Sequence, residues 1–452
     1  MTVTLPSNQR PVPGPRGRPI LGMMPEMISD MLGLFSRTAR EYGGIAQFKL
    51  LNKSYLLVTN PDYVKYILQD NYKNYIRGRS VETGRVLLGN GLPLIDGDFW
   101  LRERRMLQPA FHRERLGKLV NTVTAVIDTF MQDWAERARQ HQTLDLDDEM
   151  MRLTLTVIIK SMFSSPMDDK IPALSHAFHV ASKFMLWRSQ QMVQLPLSLP
   201  LPRHIEYNRA LHVLNDTIYP LIAEARKHPK DDLLGMMLDM RDADTGEGLS
   251  DKQARDEVVT IFFAGHETTA ATMAWAFYLL SQHPEVEQRL RMELKSVLDG
   301  RAPTFADLPR LVYMQQVLNE VLRLYPAAYL FAREAIVDDV LDGYRIPANT
   351  LIFISPYVGH RDPKFWPNPE RFDPERFTPE QVASRPRHVY YPFGEGPHVC
   401  IGNNFAVMEM QLILAMALQR FHLQLIPNHP IALKPEATLR PKHGMKMTVE
   451  AL

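Results

Sequence analysis

Cysteine is almost absent from this chain, which has one, Cys400, in 452 residues. A single thiol cannot close an internal disulfide or build a multi-thiolate zinc or iron–sulfur site, and beside 34 prolines it fits a loop-rich protein of a reducing compartment. Long apolar runs are also missing. No stretch approaches about 18 consecutive apolar residues, and Met1 to Arg10 lacks the apolar core of a signal peptide or anchor. Neither charge sign dominates: 52 Lys and Arg face 51 Asp and Glu, which argues against a nucleic-acid binder or an acidic disordered tail. The 15 histidines offer no H-x-x-x-H pair with a third ligand, and no phosphate loop or dinucleotide fingerprint occurs. Nucleotide and hydride chemistry must come from elsewhere.

The length exceeds the usual ceiling for one simple core, so two lobes or one large domain with subdomains is expected. Residues 1–10 are expected to be flexible and 11–452 to form one domain. Ile45 to Leu51 and Tyr55 to Thr59 read as a hairpin around Asn52, Lys53 and Ser54, and Asn60-Pro61 caps a short helix. A helix over Asp98 to Leu107 puts Trp100 and Arg104 on one face. From Leu116 to Lys227 the pattern is mostly helical, interrupted at Ser164 to Pro166 and at Gln190 to Pro202. Ser250 and Gln253 form a capping box that opens the longest helix, running to His283 and spanning roughly 50 Å. Inside it Gly265, Thr268 and Thr269 are weak helix residues that predict a local distortion. Leu311 to Tyr325 is a further helix, and Tyr344 to Pro347 and Leu351 to Ile354 are β-rich.

The most informative stretch is Phe393 to Gly402. Gly394 and Gly396 permit close backbone approach, Pro397 stiffens the loop, and an apolar helical stretch (Ile401 to Phe421) follows Cys400. A cysteine at a helix N-terminus is readily ionised, and nearby amides tune a sulfur bound to a metal. Taken alone, a lone cysteine is ordinarily an inert buried thiol. The spacing F-G-x-G-x-[H/R]-x-C-x-G, however, resembles the haem-ligand loop of the cytochrome P-450 family, the haem-thiolate monooxygenases. Four further matches occur in that family's order: W-x-x-x-R at Trp100 to Arg104, A-G-x-[D/E]-T-[T/S] at Ala264 to Thr269, E-x-x-R at Glu320 to Arg323, and the segment Pro374 to Phe377. The resemblance covers residues 11 to 450.

The resemblance implies a mainly α fold with a smaller β-rich region (mainly 45–59, 327–354 and 421–450): the triangular cytochrome P-450 fold, with haem between the long central helix and the cysteine-loop helix. It implies a soluble, bacterial-type, cytoplasmic member, a monomer without a fused reductase. Cys400 would ligate the iron of haem b. Trp100, Arg104 and Arg333 would hold the haem propionates, with His398, standing where other members have arginine, and Ala264, Gly265, Phe393, Gly394 and Gly402 also at the cofactor. Thr268 would hydrogen-bond the bound dioxygen and Glu267 would help deliver protons. Glu320, Arg323 and Arg376 would form a buried structural cluster. Phe262, Phe263, Ala264 and Ala327, Ala328, Tyr329, Leu330 and Phe331 would face a lipophilic substrate such as a fatty acid, terpenoid or steroid. The Gln190 to Pro202 loop would be a lid over the substrate entrance, and Phe184, Met185, Leu186, Trp187 and Met192 would be lid or cavity residues. Electrons would come from NAD(P)H through a ferredoxin or flavodoxin-type partner and its reductase, docking on a basic surface that includes Arg102, Arg105, His112, Arg113, Arg115 and Lys118. Among Arg77, Arg79 and Arg85, one could anchor a substrate carboxylate, although solvated arginines explain them as well. Glu395 departs from the pattern by placing a carboxyl in the thiolate loop. A peroxide-using peroxygenase or isomerase, or a non-enzymatic haem sensor or carrier, is the alternative.

Overall fold

The computed structural model describes residues 10–163, 169–191 and 193–452. Nearly all of the expected flexible start, the Ser164 to Pro166 interruption and Met192 of the expected lid lie outside the described residues. The strands in chain order are β1 (Ile45–Leu50), β2 (Lys53–Val58), β3 (Tyr75–Ile76), β4 (Thr143–Asp145), β5 (Phe331–Ala335), β6 (Asp339–Leu341), β7 (Tyr344–Ile346), β8 (Leu351–Ile354), β9 (Phe421–Leu425), β10 (Leu433–Pro435), β11 (Leu439–Pro441) and β12 (Lys446–Ala451). Helices carry most of the remainder, so the fold is mainly α with small sheets, as expected. The chain forms two compact units, one made of residues up to Ser80 with Leu322–Cys400, the other of Val81–Val321 with Ile401–Leu452.

The first unit is built on a five-stranded sheet of order β1-β2-β8-β5-β3, in which only β2 and β8 run parallel. Its strands are apolar on both faces, and the alternation decides which face each residue serves. Ile45, Leu56, Val58, Ile352 and Ile354 enter one core; Phe48, Leu57 and Phe353 enter the other, against Leu34 and Phe35. The rings of Tyr55 and Phe353 stack across the parallel pair at 5.6 Å. Leu50 pairs with Lys53, so the hairpin turn is the two residues Leu51 and Asn52, with Leu51 at φ 55°, shorter than the three-residue link expected. Asn60 caps the next helix as its sequence predicts, accepting from the amides of Asp62 and Tyr63.

The second unit contains the long helix, Asp251–Gln282, whose 32 residues span about 48 Å. The Leu146–Met162 helix packs along it. Ser250 accepts from the Gln253 amide as a cap should, but the Gln253 side chain does not return to Ser250. It donates instead to Asn90 O and Glu257 Oε1, each at 3.0 Å, because a buried carboxyl needs the donor more than an exposed cap does. The helix is continuous, which corrects the expected distortion. Thr268 Oγ1 donates to Ala264 O at 2.8 Å and Thr272 Oγ1 to Thr268 O at 2.9 Å, so the hydroxyls fold back onto their own turn without breaking it. A second departure is β4, inside a stretch read as helical: Thr143 to Asp145 pair with β12, which also pairs with β9.

Glu257 and Glu103 share one buried region of this unit. Burial pushes Glu257 up to about 8, with Glu103 adding to the rise, and burial likewise pushes Glu103 up to about 7. A carboxyl raised in the folded state holds a proton that the unfolded chain releases, so stability declines as pH rises from the ordinary carboxylate range through the folded value. The expected result is that resistance to urea falls between pH 5 and pH 8 by up to about 1.4 kcal/mol per unit for each such proton. Glu257→Gln should flatten that decline, as measured by urea unfolding across the same range; an unchanged slope would refute the assignment.

Candidate active site

In the first unit, Phe393 to Cys400 fold back on themselves. Cys400 N–H donates to Phe393 O at 2.9 Å and Gly394 N–H to Tyr391 O at 3.0 Å. Gly394 and Gly396 stand at φ 75° and 67°, and a Cβ on Gly396 would lie 2.1 Å from Leu68 O. Only glycine therefore lets the loop rest on the turn beneath it. The Cys400 residue is exposed. The helix that follows begins at Asn403 after Gly402, two residues later than the apolar run suggests.

Gly402 itself sits at φ −89°, and apart from its chain neighbours no atom of the described residues lies within 4 Å of the Cβ it lacks. Neither strain nor packing within the protein calls for glycine there, which fits a position kept clear for a non-protein group. His398 lies edge-on to Tyr72 with ring centres 5.8 Å apart, and Arg333 on β5 donates to Ala332 O at 2.8 Å. Glu395 is not free in solvent. Its Oε1 meets His388 Nδ1 at 2.5 Å, and burial raises its carboxyl against the lowering effect of His388. Ala327 and Tyr329 are buried, Ser355 donating to the Tyr329 carbonyl at 2.8 Å, whereas Ala328, Leu330 and Phe331 are half-buried. Arg323 is fully buried and Arg376 half-buried, and both donate to backbone carbonyls of the 360–371 loop. Arg79 is committed to Glu334 at 2.9 Å, which leaves it poorly placed to anchor a substrate.

In the second unit the long helix is buried on nearly every side along its middle, except for one narrow face. Ala264 is exposed, and Ile261, Gly265 and Thr268 are half-buried. Spaced i, i+3, i+4 and i+7, these four share one stripe. An uncovered, largely apolar turn with small residues and one hydroxyl in the middle of a core helix fits a flat cofactor and a small ligand. Phe262 does not belong to that stripe. It is fully buried between Phe163 and Phe178, edge-on to each, which corrects its assignment to the substrate side; Phe263, one residue on, is half-buried. Gly265 also has a packing reason, since its Cβ would lie 3.2 Å from Ile158.

Glu267 points away from the open stripe. It is buried, and its Oε1 accepts from Thr438 Oγ1 at 3.0 Å. Its neighbour His266 bonds Phe262 O through Nδ1, and burial pushes it down to about 4, so it is neutral. Trp100 and Arg104 are buried, with Arg104 Nε donating to Gln108. Glu320 is also fully buried. Arg85 is held by Asn90 and Leu94 O at 2.8 and 2.7 Å. Of the expected docking cations, Arg102 pairs with Glu247 at 3.0 Å and Lys118 with Asp231 at 2.9 Å, while Arg113 covers the Phe305 ring. In the expected lid, Phe184 and Met185 are buried, and the half-buried Trp187 lies under Arg203 beside a cleft of about 400 Å³. Reading the sequence did not single out Thr438, Arg440 or Asp147, the groups around Glu267; nothing local marks residues so far away in the chain.

The family model of cytochrome P450 matches residues 12–449. The chain belongs to the cytochrome P450 family. It is 35% identical to a Streptomyces melanosporofaciens protein described as cyclooctat-9-en-7-ol 5-monooxygenase, over 85% of this chain and 84% of that protein. It is 31% identical to pentalenene oxygenase of Streptomyces avermitilis, over 94% and 92%. The crystal structure of the cytochrome P450DA heme domain superposes with a TM-score of 0.90 at 28% identity, covering 98% of each chain. This P450 is therefore a haem-dependent monooxygenase that uses dioxygen and takes electrons from a redox partner. Among its described residues, no helix is long and apolar enough to cross a membrane.

Proposed function

We propose that this P450 hydroxylates an unactivated C–H bond of a terpenoid. The observation that carries this reading is the uncovered, largely apolar turn of the long helix, where Ala264 lies exposed beside Ile261 and Thr268. A surface with few polar groups suits a hydrocarbon skeleton, and the names of two relatives point to the same class.

Cys400 would ligate haem b, which when bound supplies oxygen activation, favoured by the electron-rich sulfur. Trp100, Arg104, Arg333 and His398 would hold its propionates; Phe393, Gly394, Gly402, Ala264 and Gly265 would pack against it. Phe263 and Ala264, and Ala327, Ala328, Tyr329, Leu330 and Phe331, would face the substrate. Thr268 keeps its hydroxyl oriented through Ala264 O, leaving its oxygen free to accept a second bond. Glu267 holds the proton to be delivered. Glu320, Arg323 and Arg376 are structural. Residues 11–452 would act as one monomeric cytoplasmic domain, taking electrons from NAD(P)H through a ferredoxin or flavodoxin-type partner.

Adding a panel of terpenes, fatty acids and steroids to the purified haem protein tests the reading. A terpene should shift the Soret band of the haem-loaded protein and yield a hydroxylated product. A shift and product confined to fatty acids would overturn the substrate class. In Thr268→Ala, electrons should be diverted from product to peroxide; full coupling in that variant would sink the proton-delivery role.

A further inference from the structure

The turn between β10 and β11 reaches into the second unit's interior at the carboxyl of Glu267. Thr438, 4% exposed, donates its hydroxyl to Glu267 Oε1 at 3.0 Å. The turn is fixed on both sides of that contact: Glu436 N–H donates to Thr438 O at 3.1 Å, and Trp275 Nε1 on the long helix donates to Leu439 O at 2.8 Å. Two residues on, Arg440 makes a forked contact with Asp147, Nη2 to Oδ2 at 2.5 Å and Nε to Oδ1 at 3.3 Å. Asp147 is buried, whereas the Arg440 side chain keeps 22% of its surface exposed, so the pair reaches from the interior to the surface.

We propose that Thr438, backed by the Arg440–Asp147 pair, is the station that holds the Glu267 carboxyl and returns a proton to it from solvent. This rests on the reading of Glu267 as the residue that passes a proton on. A hydroxyl donates one hydrogen and accepts others. When the carboxyl gives up its proton, the one Thr438 already directs at Oε1 replaces it, and the Thr438 oxygen takes another from water reaching the turn beside Arg440. Arg440 cannot carry a proton, because guanidinium does not deprotonate. Its part is electrostatic: it favours the ionised Glu267, and Asp147 moderates that pull. Burial is the largest influence on Glu267 and raises it, while Thr438 and Arg440 lower it and Glu436 and Asp147 raise it. The other charged or titratable neighbours are Asp148, which acts on Arg440, and His266 and His179, which feel Arg440 as well. Thr438, Arg440 and Asp147 are thus positioning residues for the proton supply.

The test uses the haem-loaded protein and the infrared band of the protonated Glu267 carboxyl, identified by its loss in Glu267→Gln. Removing the bond to the ionised form in Thr438→Val should raise the midpoint of that band's titration by about one pH unit and slow deuterium uptake by the carboxyl. Thr438→Ser should restore both. Asp147→Asn should move the midpoint the other way, because Arg440 is then uncompensated; general damage to the fold would not produce opposite signs. Product formed per electron should fall in Thr438→Val and recover in Thr438→Ser. Wild-type titration, exchange and coupling in Thr438→Val, with Glu267→Gln uncoupled, would overturn this inference alone. Full coupling in Glu267→Gln would instead overturn the reading of Glu267 on which it rests.

Discussion

Cys400→Ala should abolish the strongly red-shifted Soret band of the reduced, carbon monoxide-bound protein and lower hydroxylation by on the order of a thousand-fold, a barrier increase of about 4 kcal/mol. No other thiol exists in the chain to take its place. The loop itself should survive, because its closing bond runs from the Cys400 backbone amide to Phe393 O and its two positive-φ turns belong to glycines. Circular dichroism and the thermal midpoint should therefore stay near wild type while the spectrum changes. A red-shifted band that persists in Cys400→Ala would refute thiolate ligation.

The second large effect is structural. Arg323→Leu removes a fully buried guanidinium that donates to His360 O at 2.9 Å, Pro369 O at 2.7 Å and Arg371 O at 3.2 Å, and that lies 5.2 Å from the centre of the Trp366 ring. The buried carbonyl of His360 and the partly buried bonds to Pro369 O and Arg371 O would lose their donor, at a cost of about 3–5 kcal/mol against a total stability of roughly 5–15 kcal/mol. Lysine cannot repair this, since an ammonium lacks the planar fork that serves several acceptors at once. The damage should spread along a definite route. His360 Nε2 accepts from Tyr391 N–H at 3.0 Å, and Tyr391 O accepts from Gly394 in the cysteine loop. Haem retention in Arg323→Leu should consequently fail at lower urea than the helical signal does; simultaneous loss of both would argue against this route.

Much of the site was legible because its chemistry requires particular residue types at short spacing. Cys400 with its glycines, Trp100 with Arg104 and the Ala264 to Thr269 run are local patterns, and the long helix showed itself by its cap and its freedom from proline. What could not be read depends on pairings across the chain. Glu267 and Thr438 are 171 residues apart, and no pattern near either indicates the other. β4 was hidden because Thr143 to Asp145 have little strand character of their own and are held by β12. The side chain of Gln253, a sound capping-box partner by spacing, is diverted by a buried carboxyl visible only in three dimensions. Phe262 and Phe263 look interchangeable in sequence, yet one helical step of about 100° puts the first in the core.

The parallel pairing of β2 with β8 also sets a timetable for synthesis. Val58 waits for Ile354, roughly 300 residues later, which at about 5–20 residues per second is on the order of 15–60 s. Until then the β1–β2 hairpin can close, but β2 keeps an open apolar edge, and such an edge invites pairing with another chain. The β1–β2 hairpin thus completes its sheet only long after it is made, and a nascent chain halted before β8 should depend on chaperones to remain in solution.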